Sequence, residues 1–326
     1  MARRHLREQG LQANQVGLIP AAAGGPKGLV LNGLDRHLFG HWLQGSQELH
    51  LVGASIGAWR MATACLPGDA DANFRAMAEA YVSQRYDERM PGQRRMPARE
   101  VSARFERTLA QQFAGREAQL LNHPRHRLHI VTSHGRTRLL LQEGRWRTPL
   151  GYLGAYAANA LRRRWLGRFL ERVVFSDSRT ALPLALHDFP SRSVRLDAEN
   201  VRPALLASCS IPFWLAAQHH LPGAPRGAYW DGGITDYHLH LDYRPLQQTT
   251  APLVLYPHFQ SSVLPGWFDK ALRHRHRPTA FLDNLVLLTP TPAWIARLPG
   301  AKLPDRNDFL QLETAERQRR WRIAVA

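Results

Sequence analysis

The sequence has little cysteine and no long apolar run. Its 326 residues include two cysteines, Cys65 and Cys209, and neither belongs to a C-x-x-C pair, so no zinc or redox motif is indicated. No segment approaches the roughly 18 consecutive apolar residues of a membrane-spanning helix. The polar, basic start MARRHLREQGLQANQ is not followed by the apolar core of a secretory signal. We therefore expect a soluble cytoplasmic protein with two buried, free thiols, and peripheral contact with a membrane stays open.

Internal repeats and linkers of disordered composition are also lacking. The length allows one large domain or two ordinary ones, since domains commonly run to roughly 100–200 residues. One α/β domain with helical insertions is the simpler interpretation. We predict a basic N-terminal tail over residues 1–14, a main domain over 15–260, and a C-terminal extension over 261–326 that packs on the same domain.

Negative charge is scarce relative to positive charge. Lys and Arg number 43 and Asp and Glu number 26, a formal net charge of +17. Such a surplus favours anionic partners such as nucleic acid, acidic lipid head groups or acidic substrates. The arginines are spread along the chain, as in ALRRRWLGR (160–168) and ERQRRWR (316–322). Because charge runs are usually solvated faces, we favour a generally basic surface, which predicts no specific nucleic-acid partner and is compatible with association with an anionic membrane.

Two strand–turn–helix units open the chain. QVGLIPAAA (15–23) is an apolar run closed by GGPKG, and QELHLVGA (47–54) is a second one closed by Ser55, Ile56 and Gly57. Each is followed by a helical pattern, which predicts parallel strands joined by a helical crossover. Because chemistry collects at the carboxyl ends of the strands in such sheets, both turns are candidate site segments.

The later elements are predicted from similar patterns. RLHIVTS (127–133) and TRLLLQ (137–142) predict a hairpin, and RMPGQRRMP (89–97) predicts an exposed loop. Residues 151–175 predict an apolar helix that turns basic and ends in a strand. For that helix we favour a core-facing role with a wet side over an interfacial membrane helix. Further strands are predicted at 193–197, 227–233 and 251–259. Further helices are predicted at 69–122, at 200–215 ending before Pro212, and at 306–324.

Ser55 lies in a G-x-S-x-G pattern, Gly53-Ala54-Ser55-Ile56-Gly57. A serine on a tight turn between a strand and a helix projects its hydroxyl outward, beside the free N–H groups of the helix start, and can act as a nucleophile. The pattern alone is weak, although the strand–helix context strengthens it. The alternative for Ser55 is an ordinary helix cap, and this stretch alone supports both equally.

The glycines of AAAGGPKGLV (21–30) form a second candidate segment. Gly24 and Gly25 can donate backbone N–H groups to an oxyanion, whereas Pro26 has none. The segment is not a Walker A loop, because no G-K-[ST] follows. Its glycines, with Gly28 as the third, also lack the G-x-G-x-x-G spacing. A plain tight turn is the alternative.

Asp231 in YWDGGITD is the third candidate. A carboxylate at a strand end, followed by Gly232 and Gly233, can reach a site from a neighbouring strand. The alternative is an Asx turn, which Asp often forms before Gly.

Histidines and metal ligands are weaker candidates. His238, His240 and His258 could serve as a general base, but a lone His is more often structural or exposed. The His238-x-His240 pair lacks a carboxylate or cysteine at metal-ligand spacing, so no metal and no cofactor are predicted. The α/β-hydrolase fold, which also uses G-x-S-x-G, is disfavoured because Ser55 follows only the second strand of the chain.

Together these motifs resemble a known family. AGGPKG, GASIG about thirty residues later and DGG far downstream look like the patatin-like phospholipases, whose pattern is G-G-G-x-[KR]-G, G-x-S-x-G and D-G-[GA] in that order. ASCSIPFWL (207–215) also resembles the family's AS-x-x-IP-x-x-F segment. The resemblance covers about residues 15–240. It implies a three-layer α/β/α fold with a central, mostly parallel sheet and helical insertions.

The resemblance also implies the site. Ser55 would be the nucleophile of a Ser–Asp dyad and Asp231 its partner, while Gly24, Gly25 and the N–H group of Ile56 would hold the oxyanion. The positions that complete the motifs are Lys27, Gly28, Gly53, Gly57, Gly232 and Gly233.

Two positions depart from the family pattern. Ala23 stands where the family usually has its first glycine, so the entry of the loop is expected to differ. The stretch ITDYHLH after DGG lacks the Asn-x-Pro that often follows, which weakens inference about the substrate more than about the dyad.

The implied function is a lipolytic serine hydrolase of the phospholipase A or lysophospholipase type, which cleaves acyl esters of lipids through an acyl-enzyme. Two alternatives stay open. One is a soluble carboxylesterase or thioesterase for small acyl substrates. The other is a non-catalytic protein of the same shape that binds polyanions or membranes.

Overall fold

The computed structural model describes residues 1–45, 47–86 and 96–326. The strands of this part of the chain belong to one sheet and are β1 (Val16–Ala21), β2 (Leu49–Ala54), β3 (His126–Gly135), β4 (Leu170–Ser176), β5 (Ser191–Arg195), β6 (Gln218–His219), β7 (Ala228–Asp231), β8 (Leu253–Pro257) and β9 (Leu285–Leu288). The α-helices are α1 (Ala2–Gln9), α2 (Asn32–Gly40), α3 (Ile56–Ala64), α4 (Ala70–Val82), α5 (Ala98–Phe113), α6 (Glu117–Leu121), α7 (Arg147–Leu161), α8 (Arg163–Leu166), α9 (Val201–Ser208), α10 (Gly233–Asp236), α11 (Pro292–Ile295), α12 (Asp308–Gln311) and α13 (Thr314–Val325).

The sheet runs in the order β5-β4-β3-β2-β1-β8-β9. Along this spatial order, the neighbouring strands β3, β2, β1, β8 and β9 are all parallel to one another, and β4 is parallel to β5. β4 is antiparallel to β3. β7 also pairs antiparallel with β3, and it pairs with the short β6. The sheet is therefore mostly parallel, as predicted.

Both faces of the sheet are apolar, because successive strand side chains point to opposite faces. Ile19 and Leu51 pack in one buried cluster that includes α3, whereas their neighbours Leu18 and Val52 pack in a second cluster with the segment 237–246. Helix α10 also lies on this second face, where it contacts β3. Layers on both sides of the sheet give the three-layer α/β/α arrangement, which confirms the predicted fold class.

The predicted hairpin over residues 127–142 is wrong. β3 is one strand, His126–Gly135, and its antiparallel partner is β4. The apolar residue Leu140 does not continue the sheet but packs in a buried cluster with Tyr152 of α7. A short apolar run fits a buried turn as well as it fits a strand, so the pattern could not separate the two.

Two predicted helices are shorter than expected. The helix predicted at 200–215 ends at Ser208, and the closing helix predicted at 306–324 is divided into α12 and α13. Leu312 and Glu313 have extended backbone angles, which separates the two pieces. The loop predicted at 89–97 lies, up to residue 95, outside the described residues.

Helices at both ends of the chain pack on the sheet domain. At the N-terminus α1 is held through the Ala2 N–H group, which donates to the Asp283 carbonyl at 2.8 Å. In α13, Trp321 is buried, and its indole N–H donates to Asp308 at 2.9 Å. Its ring lies 6.1 Å from that of Tyr81 in α4. The C-terminal segment thereby contacts the wall of the site described below.

Helix α7 faces the core on one side and solvent on the other, as expected, but its exposed side is also apolar. Tyr152 and Ala155 are buried, whereas Leu150 and Leu153 are 54% and 64% exposed. Trp146, just before the helix, is 71% exposed. An exposed apolar stripe of this kind indicates a binding surface. Among the described residues no helix is both long enough and apolar enough to span a membrane.

Candidate active site

Ser55 occupies the turn between β2 and α3. β2 ends at Ala54 and α3 begins at Ile56, so the turn is a single residue. Ser55 has φ 56° and ψ −128°, a conformation that costs a non-glycine residue about 1–3 kcal/mol. A nucleophile on a tight strand–helix turn adopts strained geometry of this kind, whereas a helix-capping residue usually has β-region angles. Its side chain makes no capping hydrogen bond to α3.

The glycines on either side of Ser55 are required by close backbone contacts. A methyl group at Gly57 would lie 1.9 Å from the carbonyl oxygen of Ala21 in β1. A methyl group at Gly53 would lie 2.5 Å from the backbone nitrogen of Ala58. The turn can therefore bring α3 against β1 and β2 only when both positions lack a side chain.

Asp231 reaches Ser55 because β2 and β7 pair with the same edge of β3. The register places Ala54 opposite Val131 and Asp231 opposite Thr132. The other edge of β3 is occupied by β4. β7 thus continues along β3 from the point where β2 ends, and the residue that follows β2 faces the last residue of β7. The Ser55 hydroxyl donates to Asp231 Oδ2 at 2.6 Å.

The second carboxylate oxygen of Asp231 is held by the turn that follows it. Asp231 Oδ1 accepts from the N–H group of Gly233 at 2.7 Å. This is the Asx-type geometry expected of Asp before Gly, and it occurs together with the bond to Ser55. Gly232 is confined as well, since a methyl group there would lie 2.1 Å from the Val131 carbonyl oxygen.

Asp231 is 6% exposed, and burial raises its pKa to about 6. The hydrogen bonds from Ser55 and Gly233, and then the charges of Arg306 and Lys270, oppose this rise. A desolvated carboxylate is a stronger base than an exposed one. The site therefore contains a carboxylate that stays ionised near neutrality and accepts a hydrogen bond from a serine hydroxyl.

The glycine loop lies beside this pair. Gly24 and Ser55 line one cavity, and Gly25 and Ser55 line another. Gly25 has φ 56°, which glycine adopts without strain. A methyl group at Gly28 would lie 3.1 Å from Ile56, so the missing side chain lets the segment Gly25–Leu31 pack against the start of α3. Lys27, in the same segment, is partly exposed.

Ala23 enters the loop without strain, although the family pattern has glycine there. It is not among the residues with positive φ, and its N–H group donates to the Tyr237 carbonyl at 2.9 Å. Space for its methyl group comes from Gly233, where an added Cβ would lie 2.5 Å from the Ala23 Cβ.

Helix α3 points its N-terminus at Ser55. The N–H groups of Ile56, Gly57 and Ala58 belong to its first turn, where an α-helix offers no carbonyl acceptor. The N–H group of Ser55 itself is not free, because it donates to Ser208 Oγ at 2.9 Å. Ile56 is therefore the first amide of the helix that can meet negative charge developing beside Ser55.

Ser208 is a site residue that sequence reasoning missed. Its hydroxyl donates to the Val131 carbonyl of β3 at 2.6 Å and accepts from the Ser55 N–H group. It thus ties the strained turn to the strand that also places Asp231. The available signal was its position in the segment ASCSIP, which was recognised only as a family resemblance.

The candidate histidines lie away from the pair. His238 Nδ1 lies 3.1 Å from both the Ser262 carbonyl oxygen and the Leu264 nitrogen. His258 Nδ1 accepts from the Gln260 N–H group, and burial lowers the pKa of both histidines. His240 lies 3.4 Å from the hydroxyl of Thr279. None of these bonds joins an imidazole to Ser55 or Asp231.

A protein metal centre needs several ligating side chains brought together in space. Over residues 1–45, 47–86 and 96–326, no group of three or more His, Cys, Asp or Glu side chains is placed to hold a metal ion.

Cys209 carries a thiol, a second kind of nucleophilic group, and lines the same cavity as Ser55. Both cysteines are free and buried, as expected. Burial raises the pKa of the Cys209 thiol far above the usual value, and the nearby Ser55 side chain opposes this rise only in part. The thiol therefore stays protonated and unreactive.

Ser55 opens onto two cavities. The first, here called the apolar cleft, encloses about 580 Å³, part of it open to solvent. Its walls include Trp59, Tyr81, Phe105, Trp214, Leu215 and Phe309. The second, here called the cationic chamber, is lined by Ser55, Asp231, Tyr237, Trp267, Lys270 and Arg306.

Comparison with known families agrees with this geometry. A patatin-like phospholipase model matches residues 22–238, two thirds of the chain. The matched range holds Ser55, Asp231 and the glycine loop. Comparison with curated proteins gave no match. The chain therefore belongs to the patatin-like phospholipase family.

Proposed function

We propose that the protein is a serine acyl hydrolase that cleaves carboxylic ester bonds of lipids, with Ser55 as nucleophile and Asp231 as general base. The observation that carries this proposal is the 2.6 Å hydrogen bond from the Ser55 hydroxyl to Asp231, formed on a strained strand–helix turn. Family membership supports action on lipid esters.

The first half-reaction forms an acyl-enzyme. Ser55 Oγ attacks the ester carbonyl carbon while its proton passes to Asp231 Oδ2. The negative charge on the carbonyl oxygen is stabilised by the N–H groups of Ile56, Gly24 and Gly25. When the carbon–oxygen bond breaks, the proton on Asp231 passes to the leaving alcohol.

The second half-reaction reverses these roles with water. A water molecule gives its proton to Asp231 Oδ2 and attacks the acyl carbon. The acid product leaves as the proton returns to Ser55 Oγ. No histidine is required, because the buried carboxylate, with its pKa raised to about 6, supplies the basicity.

The apolar cleft is the proposed site for the acyl chain. Its aromatic and aliphatic walls, with Trp59, Phe105 and Phe309 among them, lie next to Ser55. Burial of a hydrocarbon chain there is favourable by about 0.8 kcal/mol per methylene group. This surface favours lipid esters over the small substrates of a soluble esterase.

The exposed stripe of α7 supports the proposal that the substrate lies in a membrane surface. Leu150 and Leu153 face solvent, and arginines flank the helix at Arg145, Arg162 and Arg164. Trp267, 38% exposed, lines the cationic chamber, and the next residue, Phe268, packs against Tyr156 of α7. An apolar face with a basic rim matches an anionic bilayer.

We also propose that residues 15–260 and the extension 261–326 form one functional unit. Phe309 and Arg306 of the extension line the apolar cleft, and Lys270 lines the cationic chamber. The site walls are therefore incomplete without the extension.

The test is active-site labelling combined with a series of esters. A fluorophosphonate probe is expected to label the protein once, on the peptide that contains Ser55. Hydrolysis is expected for nitrophenyl esters and phospholipid vesicles, with faster vesicle hydrolysis at low salt and with anionic lipid.

Each negative result removes a different part of the proposal. A protein that neither takes up the probe nor cleaves any ester is not a hydrolase and would fit the non-catalytic alternative. Rates that depend on neither salt nor anionic lipid would exclude a membrane surface as the location of the substrate and would favour the soluble esterase.

Asp231 sets the expected pH dependence. Ser55 attack requires the ionised carboxylate, so kcat/KM should rise with pH through about 6 and then level off. Asp231→Asn should lower kcat/KM by about a thousandfold or more and remove this rise. The control is His238→Ala. If the rise persisted in Asp231→Asn but vanished in His238→Ala, a histidine would be the base.

The same shift predicts a stability change. Because the folded-state pKa lies above the ordinary value of 3.8, ionised Asp231 costs the folded state free energy above pH 6. This cost shrinks as the pH falls through 6. Asp231→Asn should therefore melt at a higher temperature than the wild type at pH 7.5, by a margin that narrows at pH 5. A margin independent of pH would contradict the shift.

A further inference from the structure

The cationic chamber contains two basic residues that lie beyond the range of the family match. Lys270 lies in the short helical segment Trp267–Ala271, and Arg306 precedes α12. Both line the same cavity as Ser55 and Asp231. They therefore belong to this chain's own C-terminal extension and not to the matched residues 22–238.

The charged groups of Lys270 and Arg306 lie over aromatic rings and are not paired with carboxylates among the described residues. The Lys270 ammonium lies 3.9 Å from the centre of the Tyr237 ring, and the Arg306 guanidinium lies 5.7 Å from that of Trp214. Within residues 1–45, 47–86 and 96–326 neither forms an ion pair, whereas nearby Lys302 pairs with Asp308. Each charge is thus held in place but keeps its hydrogen-bonding capacity.

The two charges also repel each other across the chamber. Desolvation, followed by the charges of Lys27 and Arg306, lowers the pKa of Lys270 to about 8. Asp231 and Asp305 attract Lys270 more weakly. The chamber therefore holds two cations and the single carboxylate of Asp231, and such a surplus of positive charge in a cavity favours the entry of an anion.

The position of the chamber says which part of a substrate would carry that anion. The acyl chain has an apolar site in the cleft on the Gly25 side of Ser55. The chamber lies on the Asp231 side, where the leaving alcohol receives its proton. Arg306 lies where the two cavities meet, since it also lines the cleft, whereas Lys270 is a lining residue of the chamber and not of the cleft. A negative group in the chamber therefore belongs to the alcohol and not to the acyl chain.

We infer that Lys270 and Arg306 form a binding site for a phosphate group carried by the leaving alcohol, and that they select phosphate-bearing acyl esters over neutral ones. This inference rests on the proposed hydrolase function. Arg offers a planar fork of N–H donors and Lys a compact charge, and both are common ligands of phosphate oxygens. The phosphate can come from a membrane phospholipid or from a soluble phosphorylated alcohol.

The experiment compares matched esters. A short-chain monoacylglycerol and its phosphate monoester, both kept monomeric, share one acyl group and differ in the charge of the alcohol. The ratio of their kcat/KM values measures selection for phosphate. This ratio is expected to fall about tenfold to a hundredfold in Lys270→Gln, Arg306→Gln or the double variant, the loss typical of charge-assisted hydrogen bonds. Arg273→Ala removes an exposed charge of the next short helical segment, Arg273–Arg275, and should keep the wild-type ratio.

A second pair of substrates distinguishes the two sources of phosphate. Vesicles of phosphatidylcholine with phosphatidic acid are compared with vesicles of phosphatidylcholine with diacylglycerol. A phosphate preference in vesicles that is lost in the double variant assigns the site to a lipid head group. A preference seen with monomeric esters alone assigns it to a soluble phosphorylated alcohol.

Inorganic phosphate gives a readout that does not need turnover. It should raise the melting temperature of the wild type and of Arg273→Ala more than an equal ionic strength of chloride does, and this excess should be absent in the double variant. Without that excess, or with unchanged kcat/KM ratios in the Gln variants, the inference is wrong even if both esters are cleaved. If no ester is cleaved, the proposed function fails, and the phosphate excess alone decides whether the two cations bind an anion.

Discussion

Ser55→Ala is expected to lower kcat/KM for ester hydrolysis by about a thousandfold or more, because it removes the hydroxyl that donates to Asp231 and that we propose forms the acyl-enzyme. A residual rate over water is expected, since the helix and loop N–H groups still stabilise an oxyanion. The fold should be retained. One hydrogen bond contributes about 1 kcal/mol, and its loss in a chain of this length should shift the melting temperature by about 3 °C or less.

The measurement is steady-state hydrolysis with melting curves for the same preparations. Ser83→Ala, at the exposed end of α4, is the matched control and should behave as the wild type. Ser55→Gly adds a test of the turn. It should be as inactive as Ser55→Ala but more stable, because glycine adopts φ 56° without strain. Retained activity in both variants would exclude Ser55 as the nucleophile.

Gly57→Ala should be among the most damaging single substitutions in the chain. The added methyl group would lie 1.9 Å from the Ala21 carbonyl oxygen, a backbone atom of β1 that cannot turn aside. Either α3 moves away from the sheet or β1 shifts. We expect the free energy of unfolding to fall by about 3 kcal/mol or more, a large fraction of ordinary domain stability.

Thermal or urea unfolding measures this loss, and a glycine with open space is its control. Gly33 lies in α2, is exposed, and has no atom within 4 Å of an added Cβ. Gly33→Ala should stabilise the protein by about 0.5–1 kcal/mol, since alanine favours a helix over glycine. Equal melting temperatures for Gly57→Ala and the wild type would mean that β1 and α3 are not packed as described.

The strand–turn–helix units and the positions of Ser55 and Asp231 at strand ends could be predicted from the sequence. Apolar runs closed by glycine mark such turns because only small residues permit the close approach of helix and sheet, as at Gly57. The pairing of Ser55 with Asp231 is different. It depends on which edge of β3 each strand occupies, and local patterns carry no information on that; the family resemblance supplied it.

Other parts of the site could not be predicted for related reasons. Ser208 acts through the backbone of Ser55, a contact made across 153 residues of sequence. In the sequence, Lys270 and Arg306 cannot be told apart from the other basic residues. Only the fold shows that these two side chains line a cavity. The exposed face of α7 has the same residue types as a buried face, so the sequence alone could not show which face of this helix is exposed.

The shared edge of β3 makes the distance between Ser55 and Asp231 a local property, although 176 residues separate them in the chain. Val131 and Thr132 are consecutive. Ala54, the residue before Ser55, lies opposite Val131, and Asp231 lies opposite Thr132. Segments between Ser55 and Asp231 that lie outside β3 can lengthen or shorten without moving the two residues apart. The insertion of one residue between Val131 and Thr132 would move Ser55 and Asp231 apart. The peptide bond between Val131 and Thr132 therefore sets the distance between the strand ends that carry Ser55 and Asp231.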